Sequence, residues 1–244
     1  MKRIVKGAQA PTLTNWYAVN AALPQNLTYG TAGFPIAAVL NGLLIEQGYV
    51  CAYTLLRIGD TTAHIEHLKP QTRCRSEDAD RTGANLPVQR EDIAWSNMVA
   101  CSPEPNIKNK PPYGATKKND WWHATDFLSP LDPTCEQRFV YSSDGKIAPS
   151  TATDVAATET IRRIGLDNEK LEELRKTAFL RAGIHKRSDR PIESFRKVDQ
   201  LIAKWSKKNQ TTLQCEEFCV PLVQVAKAYA QFLRTRGHRD EYSS

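Results

Sequence analysis

The chain has 244 residues, 41% of them hydrophobic, which suits one large domain or a small module with an appended helical domain. Its formal net charge of +6 fits an acidic partner such as nucleic acid, although many other proteins are as basic. The most apolar stretch, residues 34–50, is too short and too polar to span a bilayer, and no signal-like segment follows the basic start. We therefore expect a cytoplasmic protein without a membrane partner.

Six cysteines are scattered along the chain and form no C-x-x-C pair. Without a secretory signal, we expect free thiols or metal ligands. Cys215 and Cys219 are four residues apart, which is a helical spacing, and partly buried thiols are the simpler interpretation of this pair.

A helix is predicted over residues 35–47, because a proline suits its first turn and an apolar stripe follows at helical spacing. Gly48 is suited to end that helix. Residues 50–68 then predict a β-hairpin around a turn at Gly59-Asp60, with a histidine-rich segment on the second strand.

The middle of the chain shows less periodicity. Residues 71–90 are polar and predict a long loop. Asp92 is a favourable N-cap for a short helix over residues 93–100. Residues 102–120 are rich in proline, lysine and asparagine, and we interpret them as a basic, irregular loop.

The second half of the chain begins with a hairpin signal. Apolar runs on both sides of Asp144-Gly145 predict a hairpin over residues 139–148. Beyond residue 150 the pattern is helical, and helices are predicted over residues 153–164, 168–182, 190–207 and 216–234.

The segment His64-Ile65-Glu66-His67 combines the residue types that metal-assisted hydrolysis needs. Alternation along a strand places His64 and Glu66 on one face and His67 on the other, unless the strand end twists. A carboxylate binds a divalent cation, and an adjacent histidine can take a proton from water. A pair of surface or hydrogen-bonded histidines is the alternative, and the zinc-protease and deaminase patterns are absent.

Ordered segments between residues 44 and 175 resemble the HNH-nuclease family that includes the nuclease subunit of Septu-type and retron-associated anti-phage systems. Residues 64–70 are similar to its H-I-E-H-x-x-P core. Trp95-Ser96-Asn97-Met98 is similar to the segment with its central asparagine. Further similar segments are the lead-in to the first cysteine pair at 46–53, the G-x-x-K-x-N exit at 114–119, and then 130–133, the hairpin at Gly145 and the run from 160 to 175.

The resemblance implies an active site of the ββα-metal type, with Mg²⁺ or another divalent cation as its cofactor. In such a site His67 is the general base, Glu66 is the first metal ligand, and Asn97 orients the histidine or its loop. His64 is a candidate for contact with the substrate or for support of the site. A packed strand residue is the alternative interpretation of His64.

The chain departs from the family pattern at three positions. Thr54 and Tyr113 stand where two of four zinc-binding cysteines are expected, which leaves Cys51 and Cys101. Two thiolates do not make a closed zinc site, so we expect no structural zinc. Gly114 stands at the last HNH position and has no side chain that could bind a metal.

Residues downstream of this glycine are therefore the expected third metal ligand. Asn119 and Asp120 are the first candidates, and His123 is the alternative. Five lysines around the proposed site are predicted to contact nucleic-acid phosphates, although such a charge run is often only a solvated face. These lysines are Lys69, Lys108, Lys110, Lys117 and Lys118.

Together these patterns predict an α+β protein, with a small ββα-metal, HNH-like module plus loop insertions in residues 1–149 and a mainly helical domain, suited to partner docking, in 150–244. The expected function is metal-dependent hydrolysis of nucleic-acid phosphodiester bonds in anti-phage defence. The resemblance implies an ABC/SMC-like ATPase partner and, in retron systems, a reverse transcriptase with its non-coding RNA and DNA. The alternative is a non-catalytic HNH-like subunit that binds nucleic acid or acts as an adaptor.

Overall fold

The computed structural model describes residues 1–31 and 33–241, and for residues 237–241 it describes the backbone alone. Within this part of the chain the fold is mixed α+β, with eight α-helices and two small antiparallel sheets of two strands each. The helices are α1 Pro11–Asn20, α2 Ile36–Gln47, α3 Gln71–Gly83, α4 Ala115–Lys118, α5 Val155–Ile164, α6 Glu169–Arg181, α7 Phe195–Trp205 and α8 Cys219–Glu241. The strands are β1 His64–His67, β2 Met98–Cys101, β3 Phe139–Tyr141 and β4 Ile147–Pro149.

Helix α2 confirms the first prediction from the sequence. It ends at Gly48, which adopts a left-handed conformation with φ of 69°. A side chain at this position would also collide with Cys215, because an added Cβ would lie 2.5 Å from its Sγ atom. Val39, Leu40, Leu43 and Leu44 of its apolar stripe are buried, whereas Ile36 is exposed, so most of this face forms one wall of the core.

The hairpin predicted over residues 50–68 is wrong, because strand β1 pairs with a different partner. β1 lies antiparallel to β2, with His64 opposite Cys101 and His67 opposite Met98. Residues 51–56 instead form turns, in which the Cys51 amide donates to the Leu56 carbonyl. All four residues of β2 are buried and apolar, so the pair of β1 and β2 forms part of the core.

The middle of the chain is also more regular than the sequence suggests. Residues 71–83 form α3 rather than a loop, although only Cys74 of this helix is buried. Ion pairs on its surface, such as Arg73 with Glu77 at 2.9 Å, support the helix without an apolar stripe. The helix predicted over residues 93–100 is wrong, because Trp95–Asn97 form a 3₁₀ turn and strand β2 follows.

The second half agrees with the predictions. The hairpin of β3 and β4 forms around the turn at Gly145, and the four predicted helices are present as α5 to α8. Asp154 and Asn168 cap the first two of them, since each side chain accepts a hydrogen bond from a backbone amide in the first turn. No helix in the described part of the chain is both long enough and apolar enough to cross a membrane.

Two hydrophobic clusters fill the interior. The first joins α1, α2, the β1–β2 pair and the β3–β4 hairpin, and it includes α5, whose Ile164 carbonyl accepts a hydrogen bond from Gly114. The second lies among α6, α7 and α8 and also covers Val50 and Leu55 of the first half. Apolar faces of α7 and α8 therefore pack on each other and on the amino-terminal half of the chain.

Arg175 shows how α6 is fastened to the hairpin, and it yields a first prediction. Its buried guanidinium donates to the carbonyls of Gly145 at 2.6 Å and Leu166 at 2.9 Å. The substitution Arg175→Met should lower the free energy of unfolding by about 2–4 kcal/mol, because it leaves two buried carbonyls without donors. Urea denaturation will measure this, with Arg181→Met at an exposed position of the same helix as the control. Equal effects of the two substitutions would contradict the prediction.

Candidate active site

The histidine-rich strand presents two different faces, as its alternation predicts. His64 and Glu66 are half-buried on one face, whereas Ile65 and His67 are buried on the other. The face with His64 and Glu66 borders an open cleft of about 270 Å³. His64 and Glu66 therefore line the cleft, whereas Ile65 and His67 do not.

The cleft brings together most residues that were predicted to bind metal. Asn119 and Asp120, which follow α4, line it together with His64, Glu66 and Lys110. They reach it because the chain leaves α4 abruptly at Asn119, whose φ is +47°. With ψ of −132°, Asn119 lies outside the left-handed helical region, in a conformation that is strained for a residue with a side chain. His123, the alternative ligand, is not part of the cleft wall, and 55% of its side chain is exposed.

His64 is held between a backbone carbonyl and the Glu66 carboxylate. Its Nδ1 donates to the Pro103 carbonyl at 2.5 Å, which leaves Nε2 directed towards Glu66 Oε2, 3.6 Å away. Burial alone would lower the pKa of His64, but the Glu66 carboxylate and the hydrogen bond with the Pro103 carbonyl outweigh it and raise that pKa. A backbone carbonyl that fixes the ring through Nδ1 is the usual support of a metal-binding histidine.

Glu66 is held ionised by a buried lysine. The Lys118 ammonium lies 2.9 Å from Glu66 Oε1 and also donates to the His67 carbonyl at 2.9 Å. Burial would raise the pKa of Glu66, but His64 and Lys118 together lower it. The contact is an ion pair rather than a well-aligned hydrogen bond, because Oε1 has no aligned donor among the described residues. Burial, together with the nearby Glu66 carboxylate, raises the pKa of the Tyr53 hydroxyl.

Two lysines that were predicted to contact phosphate are engaged elsewhere. The prediction that Lys118 contacts a nucleic-acid phosphate is corrected. Its side chain is only 1% exposed, and its ammonium forms an ion pair with Glu66. Lys69 pairs with both Glu77 and Glu91, which leaves little of its charge for a ligand. Lys108, Lys110 and Lys117 are exposed, and the prediction that they contact nucleic acid stands for them.

His67 lies in a closed pocket behind the strand. Its Nε2 donates to the Asp92 carbonyl at 2.8 Å, its Nδ1 accepts from the Gln71 amide at 3.2 Å, and the Tyr29 ring packs edge-on against it. Both ring nitrogens are thus occupied, and the residue is 5% exposed. The role of general base that the resemblance implies for His67 does not fit this position, since a base must reach the substrate.

Asn97 organises the loop that holds His67. Its amide donates to the carbonyls of Glu91 at 2.9 Å and Lys69 at 3.0 Å, and its oxygen accepts from the Lys69 amide at 2.8 Å. Glu91 directly precedes Asp92, the residue whose carbonyl binds His67. Asn97 therefore fixes the loop around the histidine, the kind of contact that was expected of it, and does not itself line the cleft.

The two cysteines left from the expected zinc pattern lie together behind the site. Cys51 and Cys101 are fully buried, and hydrogen bonds with Cys101 and Thr54 lower the pKa of Cys51, although burial alone would raise it. Thr54, which stands in place of a third cysteine, is thus part of this packed cluster. The expected absence of a structural zinc stays a prediction.

Two side chains that a divalent cation could use lie together in the His64–Glu66 pair, and among the described residues no group of three His, Cys, Asp or Glu side chains lies close enough together to hold a metal ion. His64 Nε2 and Glu66 Oε2 are two atoms that can bind a metal ion, and their residues line the same cleft. Asp120 supplies a further carboxylate to that cleft. Lys118 compensates the charge of Glu66 from behind, which weakens the attraction for a cation. Sequence reasoning missed this contribution of Lys118, because a lysine in a basic run gives no sign that it is buried.

Comparison with known proteins adds no family. No protein-family model matches the chain, and no curated protein matches it either.

The environment of His67 predicts how stability depends on pH. Burial lowers the pKa of His67 below its ordinary value of 6.5, so the unfolded chain takes up the proton first. Stability should therefore fall as the pH drops below about 6.5, and the loss from this residue should approach about 1.4 kcal/mol per pH unit at most. Denaturant unfolding between pH 7 and pH 5 should show a weaker pH dependence in His67→Gln. The exposed His123→Gln is the control, and an unchanged pH dependence in His67→Gln would refute the assignment.

Proposed function

We propose that this protein is a nuclease that hydrolyses phosphodiester bonds of nucleic acid, with its active site in the cleft formed by β1 and the residues after α4. The observation that supports this most is the pair of His64 Nε2 and Glu66 Oε2, 3.6 Å apart on the cleft wall with Asn119 and Asp120 beside them. The proposal gives His64, rather than His67, the place next to the reacting phosphate.

Each residue of the proposed active site has a separate role. Glu66 and His64 would hold Mg²⁺ or another divalent cation, with Asp120 or Asn119 as the third contributor. Such a cation stabilises developing negative charge on a phosphate and activates water. Lys118 keeps Glu66 ionised and in place, and the Pro103 carbonyl fixes the ring of His64. Lys110, on the cleft wall, is positioned to bind a phosphate of the substrate.

The biological setting of the proposal comes from the sequence resemblance. The order of the strand with H-I-E-H, the central asparagine and the exit segment is that of the nuclease subunit in Septu-type and retron-associated anti-phage systems. We therefore propose a defence effector that works with an ABC/SMC-like ATPase and, in a retron system, with a reverse transcriptase and its RNA and DNA.

A second candidate is a non-catalytic subunit that binds nucleic acid or acts as an adaptor. The enclosed position of His67 and the glycine at position 114 favour it, because each removes a group that HNH chemistry expects. Cleavage distinguishes the two, since the second candidate binds nucleic acid and leaves it intact.

Substitutions in the cleft test the proposed nuclease. His64→Ala and Glu66→Gln should each lower the cleavage rate about 100-fold or more, because each removes a group next to the reacting phosphate. Labelled DNA and RNA should be incubated with purified protein, alone and with its ATPase partner, in Mg²⁺ or Mn²⁺. His123→Ala is the matched control outside the cleft and should keep the wild-type rate. If wild-type protein binds nucleic acid under these conditions but cleaves none, the second candidate is correct.

The charge balance of the site makes a separate prediction for Asp120. Glu66 and Lys118 cancel each other, so the other two carboxylates of the cleft wall, Asp120 and Glu104, should supply the negative charge that attracts a cation. Asp120→Asn should raise the Mg²⁺ concentration that gives half-maximal cleavage by about tenfold, which corresponds to about 1.4 kcal/mol. Asp126→Asn, which lies outside the cleft wall, is the control. An unchanged metal requirement in Asp120→Asn would mean that the third ligand lies elsewhere.

A further inference from the structure

A cavity of about 610 Å³ opens between the turn of the β3–β4 hairpin, helix α6 with the loop that follows it, and helix α8. It shares no lining residue with the cleft of the proposed active site. Its volume lies in the range of pockets that bind small organic molecules and cofactors. The side chains of its wall are of two main kinds, cationic and aromatic, so a matching ligand combines negative charge with a planar apolar group.

The cationic part of the wall is supplied by α6 and the loop after it. Lys176, Lys186 and Arg187 line the cavity, and none of the three forms an ion pair with a carboxylate in the described part of the chain. Among the described residues of the wall, Asp144 is the only carboxylate, and the Lys146 ammonium lies 3.4 Å from it. The cavity therefore attracts an anion that carries several negative charges.

His185 lies among these cations and shows their mutual repulsion. Burial, followed by the charges of Arg187 and Lys176, lowers the pKa of His185. Its Nδ1 accepts a hydrogen bond from the Arg187 amide at 3.0 Å, so the proton of the neutral ring is on Nε2. A bound anion would relieve this repulsion, because it places negative charge among groups that now repel one another.

The aromatic part of the wall is supplied by α8. Tyr229 and Phe232 line the cavity, with ring centroids 6.2 Å apart and ring planes tilted by 32°. The Tyr229 hydroxyl donates to the Ile192 carbonyl at 3.0 Å, which fixes its ring. The Lys186 ammonium lies 4.2 Å from the centroid of the Phe232 ring. The cationic and aromatic parts of the wall are therefore adjacent, as a ligand with a flat ring next to its negative charges requires.

The cavity is formed by contacts that need no ligand. Arg175 donates to the Gly145 carbonyl at 2.6 Å and so fixes the hairpin turn against α6. The Ile192 amide donates to the Gly183 carbonyl at 2.9 Å, which closes the loop that carries the cations. A ligand would therefore enter a wall that is already ordered, and little conformational entropy would be lost on binding.

We propose that this cavity binds a nucleoside diphosphate or triphosphate. The base lies against Tyr229 and Phe232, since aromatic side chains hold bases by stacking. The phosphates lie among Lys176, Lys186 and Arg187, where each cation neutralises negative charge. A chain of two or three phosphates matches three neighbouring cations better than one nucleotide of a nucleic-acid strand, which brings a single phosphate.

Another basic cavity of the protein lacks this combination. It measures about 510 Å³, and two of its cations, Arg57 and Lys208, donate to backbone carbonyls at the carboxyl end of α2. These charges thus stabilise the end of a helix. No aromatic side chain of a described residue lines that cavity, so it offers a base no ring to stack on.

Isothermal titration calorimetry of the full chain tests the proposal, with ATP, adenosine and inorganic tripolyphosphate as probes. EDTA is present, so that binding is measured without metal-dependent cleavage and the result does not depend on the proposed nuclease. Wild-type protein should bind ATP about tenfold more tightly than either partial ligand, because each of those contacts only one part of the wall.

Two substitutions separate the two parts of the wall. Arg187→Gln should weaken the binding of ATP and of tripolyphosphate by about tenfold each, because both need the cation. Phe232→Leu should weaken ATP about fivefold and leave tripolyphosphate unchanged, because only the base needs the ring. The matched controls are Arg190→Gln and Phe195→Leu, at exposed positions outside the cavity wall, and both should bind ATP like the wild type.

Three results would overturn the proposal. In the first, wild-type protein does not bind ATP at about 1 mM, a concentration at which even weak complexes form. In the second, Arg190→Gln weakens ATP binding as much as Arg187→Gln does, so that the attraction comes from general positive charge. In the third, a short single-stranded oligonucleotide binds more tightly than ATP and loses this advantage in Phe232→Leu, which would make a nucleic-acid strand the ligand. Circular dichroism of each variant establishes that binding is measured on folded protein.

Discussion

The ion pair between Lys118 and Glu66 is the contact on which the site depends. Helix α4 has only four residues, which is too short to be stable by itself. It is held because Lys118 reaches into the interior and binds both the Glu66 carboxylate and the His67 carbonyl of β1. Removing one partner of such a buried ion pair strongly destabilises the folded protein, because it leaves the other charge buried without a partner. The exit from α4, and with it the position of Asn119 and Asp120, is thereby fixed against the strand.

The same pair sets the electrostatics of the cleft. A carboxylate this enclosed would ordinarily favour its neutral form, and His64 together with the lysine behind it prevents that. Neutralisation from behind also means that the carboxylate offers a cation less attraction than an unpaired one would. A cation would then depend on the carboxylates of Asp120 and Glu104 in the cleft wall and on the phosphate that the substrate itself brings. Metal and substrate binding would in that case reinforce each other, as charges of opposite sign do in a confined space.

Secondary-structure elements could be predicted from the sequence where neighbouring residues determine them, and not where they depend on distant segments. Helix α2, the turn at Gly145 and the helices after residue 150 rest on neighbouring residues, and these predictions are confirmed. The partner of β1 could not be found this way, because pairing with β2 depends on which distant segment offers a buried apolar edge. Helix α3 was missed because surface ion pairs, rather than an apolar stripe, support it.

Whether His64 or His67 lines the cleft is decided by the regular geometry of strand β1. The use of Glu66 and His67 side by side in one site requires a twist or bulge between them, since neighbours on a regular strand face opposite ways. Here β1 stays in register through His67, which lies opposite Met98, and the Leu68 amide continues the pairing to the Asn97 carbonyl. Asn97 strengthens this arrangement, because its side chain ties the strand exit to the loop that encloses His67. The backbone thus assigns His64 to the cleft, and His67 to the core that keeps the strand straight.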